Sequence, residues 1–347
     1  MKSTKFLNWE YWPASMFYIP NIPFALYHAI KAKNLVFYTA VNPSIANSGI
    51  GTESKYKTLQ LVPKRYLPKT IFHKANSSIE STLLKIAQLA ISYPIIAKPD
   101  VGFRGLLVQK ISNKDALIAY LKKYPVDIII QEFLSEKNEC GVFYFRYPTQ
   151  KTGRITSITL KEFLHVIGDG KNTIEQLVLK NNRTRIYFEI IKKNCSTDLQ
   201  TIPRKGEKIK LSDVGNHSKG TQFINGSHLI SKKLETTFNT LNREIEGWFY
   251  GRLDVKYNTF EDLENGNFKI LELNGILAEP THIYDTNNIT YFGALKELRK
   301  HWKQLYKIAR INHDKRKIPY RSTIELLKDV RNLSHYTKNI AKLHKKS

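Results

Sequence analysis

The sequence predicts a chain of mixed α and β structure arranged in two or three lobes, on three observations. With 347 residues, 41% of them hydrophobic, it can bury a sizeable core, and domains usually take roughly 100–200 residues. Over about sixty residues in the first half, apolar runs of strand length alternate with amphipathic helical spacing, the signature of an α/β or α+β unit. Beyond Glu139 that alternation gives way to paired strand-like runs.

In chain order, Pro23 to Lys33 reads as a short helix with proline at its start, and Leu35 to Val41 as a β-type run. Asn42 to Lys55 is a loop rich in Gly and Ser, a candidate lining for a substrate cleft. Apolar spacing predicts a helix over Ser81 to Ile91, then strands at Pro94 to Lys98 and Leu106 to Ile111. Asn113 caps a helix running to Lys123, and Val126 to Gln131 is the next strand. Cys140 to Arg146 and Ile155 to Leu160 flank Pro148 to Gly153 as arms of a hairpin. Helical patterns follow at Thr173 to Lys180 and Ser231 to Trp248. Gly251 to Tyr257 and Phe268 to Leu273 are strands around a polar turn. Phe292 to Arg310 is a basic helix, and Ile311 to Ser347 a basic, partly helical tail.

Lys and Arg number 55 against 30 Asp and Glu, a net charge of +25. A negatively charged partner is therefore the first thing to seek: nucleic acid, an anionic membrane surface, a nucleotide or an acidic small molecule. No zinc-finger, RNP-type or helix-turn-helix signal accompanies the charge, which leaves nucleic-acid binding a minor alternative. Cys140 and Cys195 are too few for a disulfide framework and have no metal-type spacing, so a reducing compartment is expected. Tyr11 to Ile30 approaches bilayer length, but Pro13, Pro20 and Pro23 break it and Asn21 and His28 interrupt it. Neither a membrane span nor a signal peptide is expected, and the predicted location is cytoplasmic. The aromatic residues Trp9, Trp12, Phe17 and Tyr18 read as packing residues.

Two constellations carry chemistry. In Ala97-Lys-Pro-Asp-Val-Gly-Phe-Arg-Gly105 a strand ends in a lysine and runs into a glycine loop. Such a backbone can approach phosphate oxygens while Lys98 and Arg104 supply charge; a plain glycine turn would look the same. In Arg252-Leu-Asp-Val-Lys256, alternation turns Arg252, Asp254 and Lys256 to one face, and Glu272 and Asn274 likewise share a face. Facing strands would gather two carboxylates and an amide oxygen, a hard set suited to magnesium shared with phosphate. An ordinary half-exposed hairpin is the bland alternative.

Taken in order, Lys98-Pro…Gly102-Phe-Arg-Gly105, Gln131-Glu-Phe-Leu134…Glu139, Gly251-Arg-Leu-Asp254 and Glu272-Leu-Asn274 resemble an ATP-grasp enzyme of the carboxylate-amine ligase type. The resemblance runs from about Pro68 to Asp285. Val166 to Ile174 followed by Asn181-Asn-Arg183 is similar to cyanophycin synthetase; D-alanine-D-alanine ligase and glutathione synthetase belong to the same superfamily. It implies an α+β ATP-grasp fold, with two lobes gripping ATP. The divisions would be an N-terminal segment (1–75), a small lobe (76–137), a large metal-binding lobe (138–310) and a basic tail (311–347). ATP and one or two Mg2+ ions, with Mn2+ as a substitute, are the implied cofactors; a small-molecule carboxylate and an amine are the implied substrates.

By the same resemblance Lys98 and Lys69 would contact the phosphates, with Gly102, Arg104 and Gly105 in a covering loop. Gln131, Glu132, Phe133 and Leu134 would form the adenine hinge and Glu139 would meet the ribose. Asp254, Glu272 and Asn274 would hold metal, and Arg252 would face the transferred phosphoryl group or acyl oxygen. Asn216 and Lys219, in Gly215-Asn-His-Ser-Lys-Gly-Thr221, would touch the carboxylate or acyl phosphate. The chain departs from D-alanine ligases in carrying Phe103-Arg104 where serines are usual and Gly275-Ile-Leu after Asn274. His217 and His282 lack partners at metal-ligand spacing and read as polar loop residues. Rival readings are a nucleotide-binding module without ligase activity and, further off, a nucleic-acid binder. After residue 290, sixteen Lys and Arg against four Asp and Glu leave +12: a solvated face, a lid, or a docking surface for an acidic partner.

Overall fold

Prolines shape the start of the chain into short turns: Trp9–Tyr11, helix α1 (Ser15–Tyr18), Ile19–Asn21 and helix α2 (Ile22–Ala32). The computed structural model describes residues 8–102, 105–195, 197–212 and 215–345. Among them no helix is long and apolar enough to cross a membrane. The chain divides into two units, one of Met1–Thr159 with Asn225–Ser347, the other of Leu160–Ile224. The aromatic residues pack as expected: Phe17 is fully buried against Ile283, Leu295 and Leu298, with Trp9, Trp12 and Tyr18 around it.

The expected strand at Leu35 to Val41 is instead a 3-10 turn, Phe37–Ala40. Val36, Phe37, Ala40 and Val41 are all buried, a helical spacing, and the Thr39 hydroxyl donates back to the Val36 carbonyl at 2.8 Å. Tertiary packing overrides the β propensity of the run. The loop that follows leads into helix α3 (Lys55–Leu59).

Four strands make the smaller sheet of the first unit. They are β1 (Thr70–His73), β2 (Ile95–Pro99), β3 (Gln109–Ile111) and β4 (Ile128–Glu132), in the order β1-β4-β2-β3, with antiparallel neighbours. β1 falls inside the segment that the sequence assigned to the N-terminus, yet it pairs along its length with β4. Helices α4 (Ile79–Gln88) and α5 (Lys114–Lys123) cover one face, where Ile71, Ile95, Ala97, Ile111, Ile128 and Ile130 form the core with Ile86, Leu117 and Leu121. Each isoleucine so buried contributes roughly 1.5–3 kcal/mol. Period-2 alternation then turns Thr70, Phe72, Ile96, Lys98, Ile129 and Gln131 to the opposite face; the register pairs Lys98 with Ile129 and Ile96 with Gln131.

The larger sheet starts with β5 (Asn138–Phe145) and β6 (Arg154–Glu162), whose far end enters the second unit. That unit contains β7 (His165–Ile167), α6 (Ile174–Lys180), α7 (Asn182–Ile186), α8 (Phe188–Asn194), β8 (Lys208–Lys210) and most of β9 (Gln222–Asn225). β7 and β8 pair antiparallel, and Thr173 with Gln176 forms a capping box at the start of α6.

Back in the first unit come α9 (Lys232–Glu244), β10 (Tyr250–Tyr257), α10 (Phe260–Asn265) and β11 (Lys269–Leu273). β10 lies between β5 and β11, antiparallel to both. The basic helix α11 (Tyr291–Arg316) buries Leu298, Leu305 and Ile308. The tail forms helix α12 (Thr323–Lys345). It is more than a solvated face: Ile340 is 2% exposed and joins the small-sheet core, with Tyr336 and Leu343 packed beside it.

Candidate functional site

Asp254 on β10 and Glu272 on β11 are direct cross-strand partners, so both carboxylates stand on one face of the pair. The ladder slips between Asp254 and Val255 and resumes one residue out of step, with Val255 opposite Ile270. Arg252, two residues before Asp254, bonds both of its oxygens: Nε to Oδ1 at 3.0 Å and a terminal nitrogen to Oδ2 at 3.3 Å. Its other terminal nitrogen donates to the Glu279 carbonyl at 3.0 Å. Burial disfavours the guanidinium charge, but Asp254 beside it more than compensates and holds Arg252 above its ordinary pKa. The Asn274 side chain donates to Asp254 Oδ2 at 3.3 Å, while its backbone NH is fixed on the Arg252 carbonyl at 2.9 Å. Space for this arrangement comes from Gly141, opposite Asp254 on β5. A Cβ there would lie 2.8 Å from Arg252 Cδ and 3.2 Å from Asp254 Oδ1.

Two lysines face these carboxylates. Lys98, from the face of the small sheet opposite α4 and α5, is 6% exposed; its Nζ donates to the Leu271 carbonyl of β11 at 3.1 Å. Burial, with Lys55 nearby, lowers its pKa to about 8, against the pull of Glu272, Asp254 and Glu139. Lys55 makes an ion pair with Glu272 at 2.7 Å. Burial alone would lower its pKa, but Glu272 outweighs that and raises it. Glu53 is raised by burial, although it accepts the Gly51 NH at 2.6 Å.

The loop from Asn42 to Lys55 delivers these groups by docking on both sheets. The Ile276 and Leu277 amides donate to the Ser48 and Gly49 carbonyls at 3.0 and 2.9 Å. Gly49 runs so close to Gly275 that a Cβ on it would stand 2.6 Å from the Gly275 Cα. At the other end the Lys55 amide donates to the Asp100 carbonyl at 3.1 Å, and the Tyr56 ring stacks on Phe72 at 4.8 Å. Buried Asn42 anchors the start, accepting the Phe249 and Tyr250 amides at 2.8 and 3.1 Å.

Between the two sheets, Gln131 is buried and donates to the Thr70 hydroxyl at 3.0 Å. Glu132 accepts the Lys69 amide at 2.8 Å. Phe133 lies beneath Lys110 and Lys256, 4.4 and 5.7 Å from its ring centroid. Lys256 Nζ also holds the Leu134 and Glu136 carbonyls at 3.1 and 3.3 Å, and its register partner is Glu139.

Lys98, Arg252, Asp254, Glu272 and Asn274 therefore come together as expected. Lys69, also expected at the phosphates, is not brought into this group: its Nζ donates to the Ala90 carbonyl at 3.1 Å. Gly102 and Gly105 have positive φ, 154° and 67°, while Arg104 lies outside the described residues. Asn216 and Lys219 belong to the second unit: Asn216 caps its own turn by accepting from the Ser218 amide at 3.0 Å, and burial lowers the Lys219 pKa. His282 lies in a 3-10 turn, Thr281–Tyr284, where it is buried, and burial lowers its pKa to about 4.

Sequence reasoning reached the Asn42 to Lys55 loop only as a candidate cleft lining and did not single out Glu53, Lys55 or Gly141. Thr52-Glu-Ser-Lys55 has the look of a solvated loop end, and its only signal was adjacency to the Gly/Ser-rich stretch.

Among the described residues no three His, Cys, Asp or Glu side chains gather in a metal-binding group. The set at β10 and β11 is two carboxylates and one amide. That suits Mg2+, which commonly takes one or two carboxylates and fills its remaining positions with water and substrate phosphate.

No protein-family model matches the chain. It is 26% identical over 163 residues to the glutathione biosynthesis bifunctional protein of Clostridium perfringens, covering 42% of this chain and 20% of that protein. The chain thus spans a fifth of the length of that curated relative. Among solved structures, the D-Ala:D-Ser ligase from Enterococcus faecalis overlaps 76% of this chain and 64% of its own, at 13% identity and a TM-score of 0.44. The D-alanine-D-alanine ligase from Bacillus anthracis, complexed with ATP, overlaps 76% and 70%, at 14% identity and a TM-score of 0.42.

Proposed function

We propose that this chain is an ATP-grasp ligase, dependent on ATP and magnesium, which joins a carboxylate to an amine through an acyl phosphate and releases ADP and phosphate. The supporting observation is the meeting of Lys98, from one sheet, with the strand that sets Glu272 opposite Asp254 in the other. Bringing the ATP γ-phosphoryl group to a carboxylate forces anions together, so catalysis here is chiefly charge neutralisation and alignment. Asp254, Glu272 and Asn274 would hold the magnesium, which when bound would supply positive charge to the phosphates. Lys98 would counter the phosphate charge, and an arriving triphosphate would draw its pKa back up. Arg252 would orient the transferred group. The segment Gln131 to Leu134 would meet adenine, and Glu139 the ribose.

In the first step the substrate carboxylate attacks the γ-phosphorus as the bond to the β–γ bridging oxygen breaks, giving ADP. The amine nitrogen then attacks the acyl carbon, phosphate leaves, and the nitrogen loses a proton. Small-molecule substrates and a cytoplasmic setting go with this reading. Its test is ADP release across a matrix of amino acids, peptides and hydroxy acids, with mass spectrometry of the product. Asp254→Asn combined with Glu272→Gln should abolish substrate-dependent release while the chain stays folded; wild-type turnover in that double variant would overturn the assignment.

One observation favours a second reading, an ATP-binding module without ligase activity. Both carboxylates are already neutralised by the chain's own cations, Asp254 by Arg252 and Glu272 by Lys55. Tight ATP binding with no product across the whole matrix would select it.

A further inference from the structure

A pocket of about 400 Å³ is lined by three arginines, Arg146, Arg243 and Arg316, with Phe249, Glu244 and Glu246. It shares no lining residue with the candidate site. The Phe249 ring has the Arg146 guanidinium 4.9 Å from its centroid and that of Arg316 at 5.0 Å. Each cation is attracted to the ring face, but the two repel each other. Burial, with Arg316 nearby, holds Arg146 below the ordinary arginine value.

The side-chain contacts of these arginines go to neutral oxygens. Arg146 donates to Asn242 and to the Gln150 carbonyl, Arg316 to Asn312, and Arg243 to Thr240. Among the described residues none of the three has a carboxylate within ion-pair distance; Glu244 is taken up by Arg65. Every guanidinium carries five N–H donors, so most of them are left over, and Glu246 is the one lining carboxylate not engaged by another arginine. Like charges assembled around a cavity in this way are the complement of a multiply charged oxyanion, which guanidinium groups bind with paired, charge-assisted hydrogen bonds.

We propose that this pocket binds a small, multiply charged oxyanion, phosphorylated or polycarboxylic, at a site separate from the one assigned to ATP. The test is calorimetry on the full chain with sodium pyrophosphate and, separately, with citrate. Each titration is run with and without a saturating non-hydrolysable ATP analogue. The expected result is one site per chain that persists in the presence of the analogue. It should weaken about tenfold or more in Arg316→Gln, in Arg243→Gln and in Arg146→Gln, and fall with added salt. Binding of pyrophosphate alone would identify a phosphate-type ligand, and of citrate alone a carboxylate-type ligand. Arg316 is exposed, so its replacement should lower the thermal midpoint by no more than the loss of its contacts with Phe249 and Asn312, and a cooperative melt of that variant keeps the test clear of folding defects. No binding of either anion, or equal binding in all three variants, would overturn the proposal; failure of the analogue to bind would count against the ligase reading alone.

Discussion

Replacing Gly141 by alanine should disable the candidate site through a single methyl group. The new Cβ would stand 2.8 Å from Arg252 Cδ and 3.4 Å from Arg252 Cγ, where carbon atoms ordinarily approach to about 3.5–4.0 Å. The arginine stem must therefore retreat by most of an ångström. Its bonds to Asp254, at 3.0 and 3.3 Å, have little slack before they are lost. Asp254, 5% exposed, would then lose its doubly bonded cation.

Overpacking of this kind costs about 1–3 kcal/mol, and a shift of about 1 Å at a reacting centre costs on the order of a hundredfold in rate. The variant should melt a few degrees below wild type. Its ADP release, with an acid and amine pair that supports turnover, should fall about a hundredfold. A variant that melts with wild type and turns over within about twofold of it would refute both the packing argument and the role given to Arg252.

Other outcomes follow from the same geometry. Lys98→Met should weaken equilibrium binding of an ATP analogue at least about tenfold without unfolding the chain; unchanged affinity would remove Lys98 from the phosphate site. Lys55→Met takes away the cation paired with Glu272, so Mn2+ binding followed by electron paramagnetic resonance should tighten in the absence of nucleotide, and equal or weaker binding would contradict the pairing. Asn42→Ala should cost about 2–4 kcal/mol in denaturant unfolding, because the Phe249 and Tyr250 amides lose their acceptor in a buried setting. His282 carries a folded pKa of about 4 against an ordinary 6.5. The unfolded chain therefore binds the extra proton between those values, and stability must fall as pH drops through that window, by up to roughly 3 kcal/mol. His282→Gln should flatten this slope, and an unaltered profile would show that other groups set the acid limb.

Much of the site was legible because its parts are local. Alternation on one strand sets Arg252 beside Asp254, and a two-residue spacing relates Glu272 to Asn274; both follow from the pleat alone. The helix cap at Asn113 was readable for the same reason, since it bonds a backbone amide three residues on. Lys55 was not, because nothing within a few residues of it marks it as different from the other lysines of the chain. Its partner, Glu272, is 217 positions away, reached only because Ser48 and Gly49 dock on Ile276 and Leu277. The tail's packing was not legible for a related reason: its net charge describes the exposed side of α12, whereas Ile340 finds its core on the small sheet.

The sequence by itself determined the chemistry on offer: a lysine before a glycine loop, paired carboxylates with an amide, the order in which they occur, and the strands that carry them. These depend on short periodicities that the chain imposes on itself. Only the tertiary structure decided which lysine meets Glu272, which glycine makes room for Arg252, and where three arginines assemble around Phe249. Such contacts depend on where distant segments return, and that is set by packing over the whole unit.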